Sequence, residues 1–483
     1  MSKAQFLLFL ISIIPLANCC VIGFFNGSQN LLNISSKFFP ILFLMSLIGL
    51  LNTDNSSSSL LFFESSGIFS FGFLVDKMAL IFLFVLSLVW MVFSFYADYF
   101  WKLSDNIKAN DLKLFFVLIV AMSTFILISQ NLLSVLFFYN LLLFICHIFA
   151  KRFLFTEESK RNAIFTALLY AEAVFLFFAV VATHKFAGQI DFNSNVIVAE
   201  NFSHNQQAVI LFLYLGGLFL LALTPFYLVY RQINCDAFVA FPMFFLGKAF
   251  VSLYVFIKLL VFIFGFDAFS KSGFVFLEWV ILFNLVISAS FLLFGKSLKS
   301  SFFYLLFHQF VFAIFAVFTF ALFEKSKIYL PLISFSLSIT LAFLCLSNFV
   351  LYVSKAEFKS LKGLFYDLKV TSVLLAFAIL NLAGMVPALG MFEKFFLIKI
   401  IFQKELLLSG IIFMLNLMTL VAFAGKLFYS LLARIENNRS SKDLGLIKTI
   451  DYDSNLMLTA LVVAIIIFLL PIIFQLKNGI FSL

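Results

Sequence analysis

Five ionisable side chains stand inside apolar runs, and each needs a chemical reason to be there: Glu172, Lys248, His308, Lys394 and Lys426. Placing such a group at the centre of a bilayer costs roughly 2.5–3.5 kcal/mol on insertion scales. Burial strips away the hydration that favours an ammonium, so a buried lysine can be poised to take up and release a proton near neutral pH. A row of such groups linked by water passes protons across a membrane. The competing reading is a lysine paired with a carbonyl or a neighbouring acid, tying helices together. For Lys248, in Phe244-Phe245-Leu246-Gly247-Lys248-Ala249-Phe250, and for Lys394, the residues alone leave both readings open. Glu172, in Leu168-Leu169-Tyr170-Ala171-Glu172-Ala173, must be paired or protonated, and again both readings stand. Lys426 lies about two turns from the end of its run, and its stem can reach the interface, which favours a structural role. A lone intramembrane histidine such as His308 reads by type more readily as a satisfied core residue. Lys258 and Lys399 lie near the ends of their runs and need no special role.

The elements that carry these groups follow from composition. Of 483 residues, 64% are hydrophobic and 11% are charged, and mean hydropathy is +1.14. A soluble domain is near 45–50% apolar and about 25% charged, so the solvent for this surface must be lipid. A span needs about 20 mostly apolar residues. That rule marks helices near 4–25, 38–53, 73–97, 112–129, 131–150, 162–183, 207–230, 237–264, 273–294, 300–323, 328–353, 371–400, 407–433 and 455–477. The expected fold class is an all-α integral membrane protein with about 14 transmembrane helices. The run Phe6 to Phe25 is long for a signal peptide and has only Lys3 before it, so it counts as the first helix. The polar connectors, near 52–59, 105–111, 151–161, 186–206 and 435–454, leave no extramembrane domain large enough for a water-facing active site.

Two expected helices contain breaks. Gly384-Met385-Val386-Pro387-Ala388-Leu389-Gly390 interrupts the twelfth, and Thr224-Pro225 the seventh. Proline removes a backbone donor and clashes with the preceding turn. The freed polar groups must be met by protein or water. Broken helices in corresponding halves of a transporter point to an ion pathway.

Other function classes fall away. Cys19, Cys20, Cys146, Cys235 and Cys345 form no CxxC pair and no metal-ligand spacing with the four histidines, so no metal and no cofactor is expected in this chain. The net charge of +9 lies mostly in short loops beside apolar runs. That placement reads as a topology signal and headgroup contact, phospholipid rather than nucleic acid. The 76 phenylalanines read as codon drift in an AT-rich genome, with Phe replacing Leu on lipid-facing surfaces, and hint at an organelle-encoded gene.

The segment Leu380-Asn381-Leu382-Ala383-Gly384-Met385-Val386-Pro387-Ala388-Leu389-Gly390-Met391-Phe392-Glu393-Lys394-Phe395 resembles the "LAGIP…GF..KF" signature of subunit 2 of NADH:ubiquinone oxidoreductase. That subunit is one of the antiporter-like membrane subunits of respiratory complex I. Lysine before Phe395 favours subunit 2 over subunit 4, which usually carries glutamate there. Lys362-Gly363-Leu364-Phe365 resembles the family's "RGLF", and Phe73-Leu74-Val75-Asp76 before Ala79 resembles its "VDGFA". Leu223 to Tyr227 resembles the "PFH" break, Gly247-Lys248-Ala249 the "SK.A" of the eighth helix, and Lys299 to His308 the "KRLLGYSSISH" region. Together they cover most of 70–435.

The resemblance implies N-terminal helices 1–3 over 1–110 and two inverted antiporter-like repeats, with broken helices 7 and 12. The first repeat, helices 4–8, covers 111–265 and the second, helices 9–13, covers 266–435; a loop and helix 14 follow over 436–483. Each repeat is expected to supply a proton half-channel, with Lys248 and Lys394 at its central lysine positions. It also implies other membrane-arm subunits of complex I as partners, cardiolipin among the phospholipids, and the mitochondrial inner membrane in preference to a bacterial-type one. There are departures. The family's fifth-helix glutamate falls at Asn140, its seventh-helix lysine at Leu220, and a sixth-helix lysine near Phe165. The tenth-helix histidine matches His308 with a one-residue shift. Glu172 is the candidate substitute for the missing acid. Rival readings are a structural subunit whose channel is closed, a stand-alone cation/proton antiporter and, more distantly, a membrane-embedded transferase.

Overall fold

The computed structural model describes residues 3–24, 29–51, 58–64, 70–103, 109–155, 160–187, 191–192, 204–223, 226, 240–264, 271–295, 297–324, 327–352, 358–385, 388–433 and 460–468. Ten helices among them are long and apolar enough to cross a membrane. The chain divides into two compact units, Met1–Gly273 and Phe274–Leu483.

The first unit contains α1 (Lys3–Phe24), α2 (Gln29–Leu51), a hairpin of β1 (Ser58–Glu64) and β2 (Ser70–Val75), α3 (Lys77–Leu103), α4 (Ala109–Leu127), α5 (Leu132–Phe149), α6 (Lys160–Ala187), α7 (His204–Phe219) and α8 (Ala240–Leu259). Around α4 pack α1, α3, α5 and α8, while α6 packs on α5 and α7. The hairpin departs from the all-α expectation. Its antiparallel strands, with a register shift between Leu61 and Phe63, take up residues expected in a loop and at the start of the third helix. That helix begins only at Lys77, because the Asp76 carboxylate accepts from the Ala79 amide at 2.6 Å and caps it.

One stripe of α6 explains how Glu172 is placed. Phe165, Leu169, Glu172, Leu176, Ala179 and Thr183 are buried, three or four residues apart, whereas Tyr170, Val174, Phe177, Phe178 and Val181 are exposed on the other side. A helix of 3.6 residues per turn separates these faces. The exposed one is apolar, as contact with lipid requires.

The second unit contains α9 (Lys271–Phe294), α10 (Leu298–Phe323), α11 (Tyr329–Tyr352), α12 (Leu364–Asp367), α13 (Lys369–Ala383), α14 (Leu389–Gln403), α15 (Leu407–Leu432) and a helical segment at 460–468. Helices α10 and α11 are its core, buried almost all round. The hydroxyls of α11 are satisfied inside the helix: Ser338 donates to the Ser334 carbonyl at 2.5 Å and Thr340 to that of Ser336 at 2.6 Å. Such back-bonding lets a serine-rich helix sit in an apolar bundle. Phenylalanine is not confined to lipid-facing surfaces. Phe302, Phe303, Phe307, Phe310, Phe312, Phe315, Phe318 and Phe320 are all buried on α10, where their area supplies packing contact.

The helix expected over 371–400 is two helices, α13 and α14, joined by a tight reversal. Gly384, at φ 80°, ends α13 in the left-handed region, where a side chain is disfavoured. The Gly384 amide donates to the Asn381 carbonyl and the Met385 amide to that of Leu380, each at 3.0 Å. These bonds satisfy carbonyls that the helix end would otherwise leave bare.

Candidate functional site

Among the described residues, each unit buries one lysine–glutamate pair. In the first, α8 carries Lys248 mid-helix, and its Nζ lies 2.5 Å from the Glu172 carboxylate on α6. Glu172 is wholly buried and Lys248 nearly so. The other Glu172 oxygen accepts from the Leu221 amide at 3.0 Å. That amide lies in the 3-10 turn Leu220–Ala222 which ends α7. Leu220, where the resemblance expects a lysine, lies in the same turn, and the group that meets the carboxylate there is the backbone amide of its neighbour Leu221. Pro225 lies outside the described residues.

On α5, Asn140 is half-buried, and its neighbour Tyr139 faces inward with no exposure. The Tyr139 hydroxyl bonds to Ser252 at 2.9 Å, and Ser252 donates to the Lys248 carbonyl at 2.9 Å. Sequence reasoning placed attention on Asn140 and overlooked Tyr139. Helical phase was the available signal, since Leu132, Val135, Leu136, Tyr139, Leu143 and Cys146 form the inner stripe of α5. Phe165 is buried against Phe155, with ring centroids 5.5 Å apart.

In the second unit, Lys394 on α14 pairs with its neighbour Glu393 at 3.0 Å, and its ammonium stands 4.0 Å from the Phe312 ring centroid. Both residues are buried. The lysine stem lies against Gly384, where an added Cβ would come within 2.4 Å of Lys394 Cγ. Pro387 lies outside the described residues. The clamp across the break is Asn381: its side-chain oxygen accepts from the Gly390 amide at 2.7 Å, and its side-chain nitrogen donates to Ser338. Because a backbone amide can only donate, that contact fixes which end of the Asn381 amide is oxygen. At Gly390, an added Cβ would fall 1.9 Å from the Asn381 carbonyl oxygen, so only glycine fits.

A cavity of about 10 Å³ touches Lys394, Glu393, Gln309 and Ser334. That is about the room one water needs. Beyond it, Gln309 donates to the Asn416 side chain at 2.9 Å, and the Asn416 carbonyl accepts from Thr419 at 2.8 Å. Thr419 also meets His308 Nε2 at 2.8 Å, and His308 Nδ1 meets Ser288 at 2.8 Å. His308 is wholly buried between two hydroxyls. Each hydroxyl has one proton to give: Thr419 either donates it to the Asn416 carbonyl and accepts from Nε2–H, or turns it to Nε2, and the two choices match the two tautomers of the ring.

Lys426 is held apart from this chain. Its ammonium donates to the Leu293 and Gly295 carbonyls at 2.9 and 2.6 Å, satisfying the C-terminal end of α9. Lys399 is exposed. Lys258 corrects the expectation that a lysine near the end of its run needs no role: it is 1% exposed and faces Asp76 at 3.7 Å. Azimuth, not depth, decided this, because the end of α8 is covered on the side where Lys258 projects.

Neither a protein-family profile nor a curated protein matches the sequence. Solved structures do match. A chain of the Mrp complex from Dietzia sp. DQ12-45-1b is 14% identical, with a TM-score of 0.76 over 99% of this chain and 96% of that one. A chain of respiratory complex I from Thermus thermophilus with bound NADH is 13% identical, with a TM-score of 0.74 over 95% and 99%. Another, with bound aureothin, is 14% identical, with a TM-score of 0.70 over 97% and 98%. This chain has their fold. The likeness runs nearly the whole length of both partners in each comparison.

Proposed function

We propose that the chain is a proton-translocating, antiporter-like subunit in the membrane arm of respiratory complex I, of the subunit 2 branch. It would cross the mitochondrial inner membrane about fourteen times, beside other membrane-arm subunits and phospholipids that include cardiolipin. Electron transfer from NADH to ubiquinone belongs to other subunits, and no cofactor is assigned to this chain. The whole-length likeness to complex I chains supports the setting. The observation that carries the reading is the Glu172–Lys248 pair, buried at 2.5 Å in a helical unit where two ionisable groups have no place as packing. A proton delivered to Glu172 neutralises it and leaves the Lys248 ammonium without a counter-charge, which drives that ammonium to give up its own proton. A charge change arriving from a neighbouring subunit would shift this balance in the same way. In the second unit, Lys394, the one-water cavity, Gln309, Asn416, Thr419 and His308 supply groups that can hold or pass a proton.

The second reading is a structural subunit of the same complex with a closed channel. It draws on Asn140 and Leu220, which put no ionisable side chain where the family has an acid and a base. A stand-alone cation/proton antiporter is the third, supported by the likeness to a chain of the Mrp complex. The test is the proton-to-electron ratio of the assembled complex in sealed vesicles. Lys248→Gln is expected to lower it while NADH oxidation persists. An unchanged ratio in a complex carrying Lys248→Gln and Lys394→Gln together would establish the structural reading.

A further inference from the structure

Ten residues beyond Lys248 on α8, about 15 Å at 1.5 Å per residue, a second lysine, buried, faces a half-buried acid, and neither has a part in the proposed pumping step. Lys258 donates to the Ser129 carbonyl at 3.3 Å and faces the Asp76 carboxylate at 3.7 Å. Its ammonium also lies 4.8 Å from the Phe192 ring centroid and 5.2 Å from that of Tyr254. The Lys258 side chain is 1% exposed and that of Asp76 is 22% exposed, so the acid is the one of the two that meets the surroundings.

The backbone around this pair is built rather than loose. Between α4 and α5 the chain leaves the helix, and Leu74 donates to Ile128, Gln130 to Gly72 and Phe192 to Gln130 at 2.7–3.0 Å. Three segments are thereby tied together at one end of the unit. One Asp76 oxygen is committed to capping α3, whereas the other has no hydrogen-bond donor and is turned to Lys258. The Gln130 side-chain oxygen is likewise buried without a donor. A carboxylate oxygen with no donor, facing an ammonium at 3.7 Å, suits a place where a proton comes and goes, since a purely structural clasp would close to hydrogen-bond distance.

Polar groups continue inward along α8. The Tyr254 ring that flanks Lys258 sends its hydroxyl to the Leu127 carbonyl at 2.6 Å. Two residues earlier, Ser252 bonds to Tyr139, beside the Glu172–Lys248 pair.

We propose that Asp76 and Lys258 form the proton port of the first unit, exchanging protons between the aqueous phase and the Glu172–Lys248 pair. A proton from water adds to the Asp76 carboxylate, whose side chain is 22% exposed. Lys258 releases its proton inward, toward Tyr139 and Glu172, and the resulting amine takes the proton from Asp76, which restores both charges. This rests on the proposed pumping function, and its test separates the two.

The assembled complex is measured in sealed vesicles, with the proton-to-electron ratio and NADH oxidation followed together. Lys258→Arg keeps the positive charge facing Asp76 but cannot release its proton. Asp76→Asn keeps a good helix cap but cannot carry a proton, and it serves independently if the larger guanidinium disturbs assembly. Both are expected to lower the ratio by the same fraction as Lys248→Gln, and Asp76→Glu is expected to restore it. A parental ratio with Asp76→Asn or Lys258→Arg, in vesicles where Lys248→Gln lowers it, overturns the port and leaves pumping intact. A parental ratio with Lys248→Gln removes the pumping reading of this unit and the port with it.

Discussion

The Glu172–Lys248 pair invites a double-mutant cycle, because fold stability and proton transport should respond to it with different patterns. Glu172→Gln keeps the size of the side chain and an oxygen for the Leu221 amide, but removes the counter-charge 2.5 Å from Lys248. With Glu172 wholly buried, little solvent can replace it. Breaking a buried pair from one side costs about 3–5 kcal/mol, or roughly two to four orders of magnitude in an equilibrium constant. Replacing both partners with neutral groups of similar volume removes that cost, and often leaves stability unchanged or raised. Glu172→Gln is therefore expected to sharply reduce resistance of the assembled complex to thermal inactivation. Lys248→Met alone leaves a buried carboxylate and should do likewise. The double variant is expected to recover most of the loss, giving a coupling energy of a few kcal/mol. Transport should not recover, since the double variant has no proton-exchanging side chain left at this point. Equal destabilisation in the single and double variants would refute the pairing argument. Full pumping in the double variant would refute the assignment of the pair to transport.

Other expectations follow from single contacts. Gly390→Ala drives a Cβ to 1.9 Å from the Asn381 carbonyl and should prevent assembly, whereas Gly410→Ala meets only Ile401 at 3.6 Å and should be tolerated; immunoblotting of the membrane complex reads both. Lys426→Met strips the donors from the Leu293 and Gly295 carbonyls. It should cost about 1–3 kcal/mol of stability with the proton-to-electron ratio unchanged, and a lowered ratio would return Lys426 to the transport path. Asn381→Ala removes the acceptor for the Gly390 amide and the donor to Ser338. A cap loss of about 1 kcal/mol or more should loosen the α13–α14 reversal and lower pumping, and thermal inactivation read beside the ratio checks both. Gln309→Leu leaves the Asn416 oxygen without its 2.9 Å donor beside the cavity and should lower the ratio while NADH oxidation continues.

Several features were legible from residues alone because they depend on distance along the chain. Apolar run lengths assigned the membrane class and most helix positions. Depth within a run separated Glu172, Lys248 and Lys394 from the lysines near water. Glycines around Pro387 announced the break, although its form, two helices clamped by Asn381, was not visible. Side-chain partners were hidden because run length gives depth and says little about which neighbour an azimuth meets. Lys258 and Lys426 both lie near helix ends, yet one is sealed against Asp76 and the other caps α9. Asn140 occupied the position of an expected acid, but the inward face of α5 belongs to Tyr139. Glu172 was named as a substitute acid; only packing of α6 and α8 against α7 set it on Lys248 and on a backbone amide freed where α7 ends. Charge in lipid forces a partner to exist, and the partner's identity is settled by which helices lie side by side.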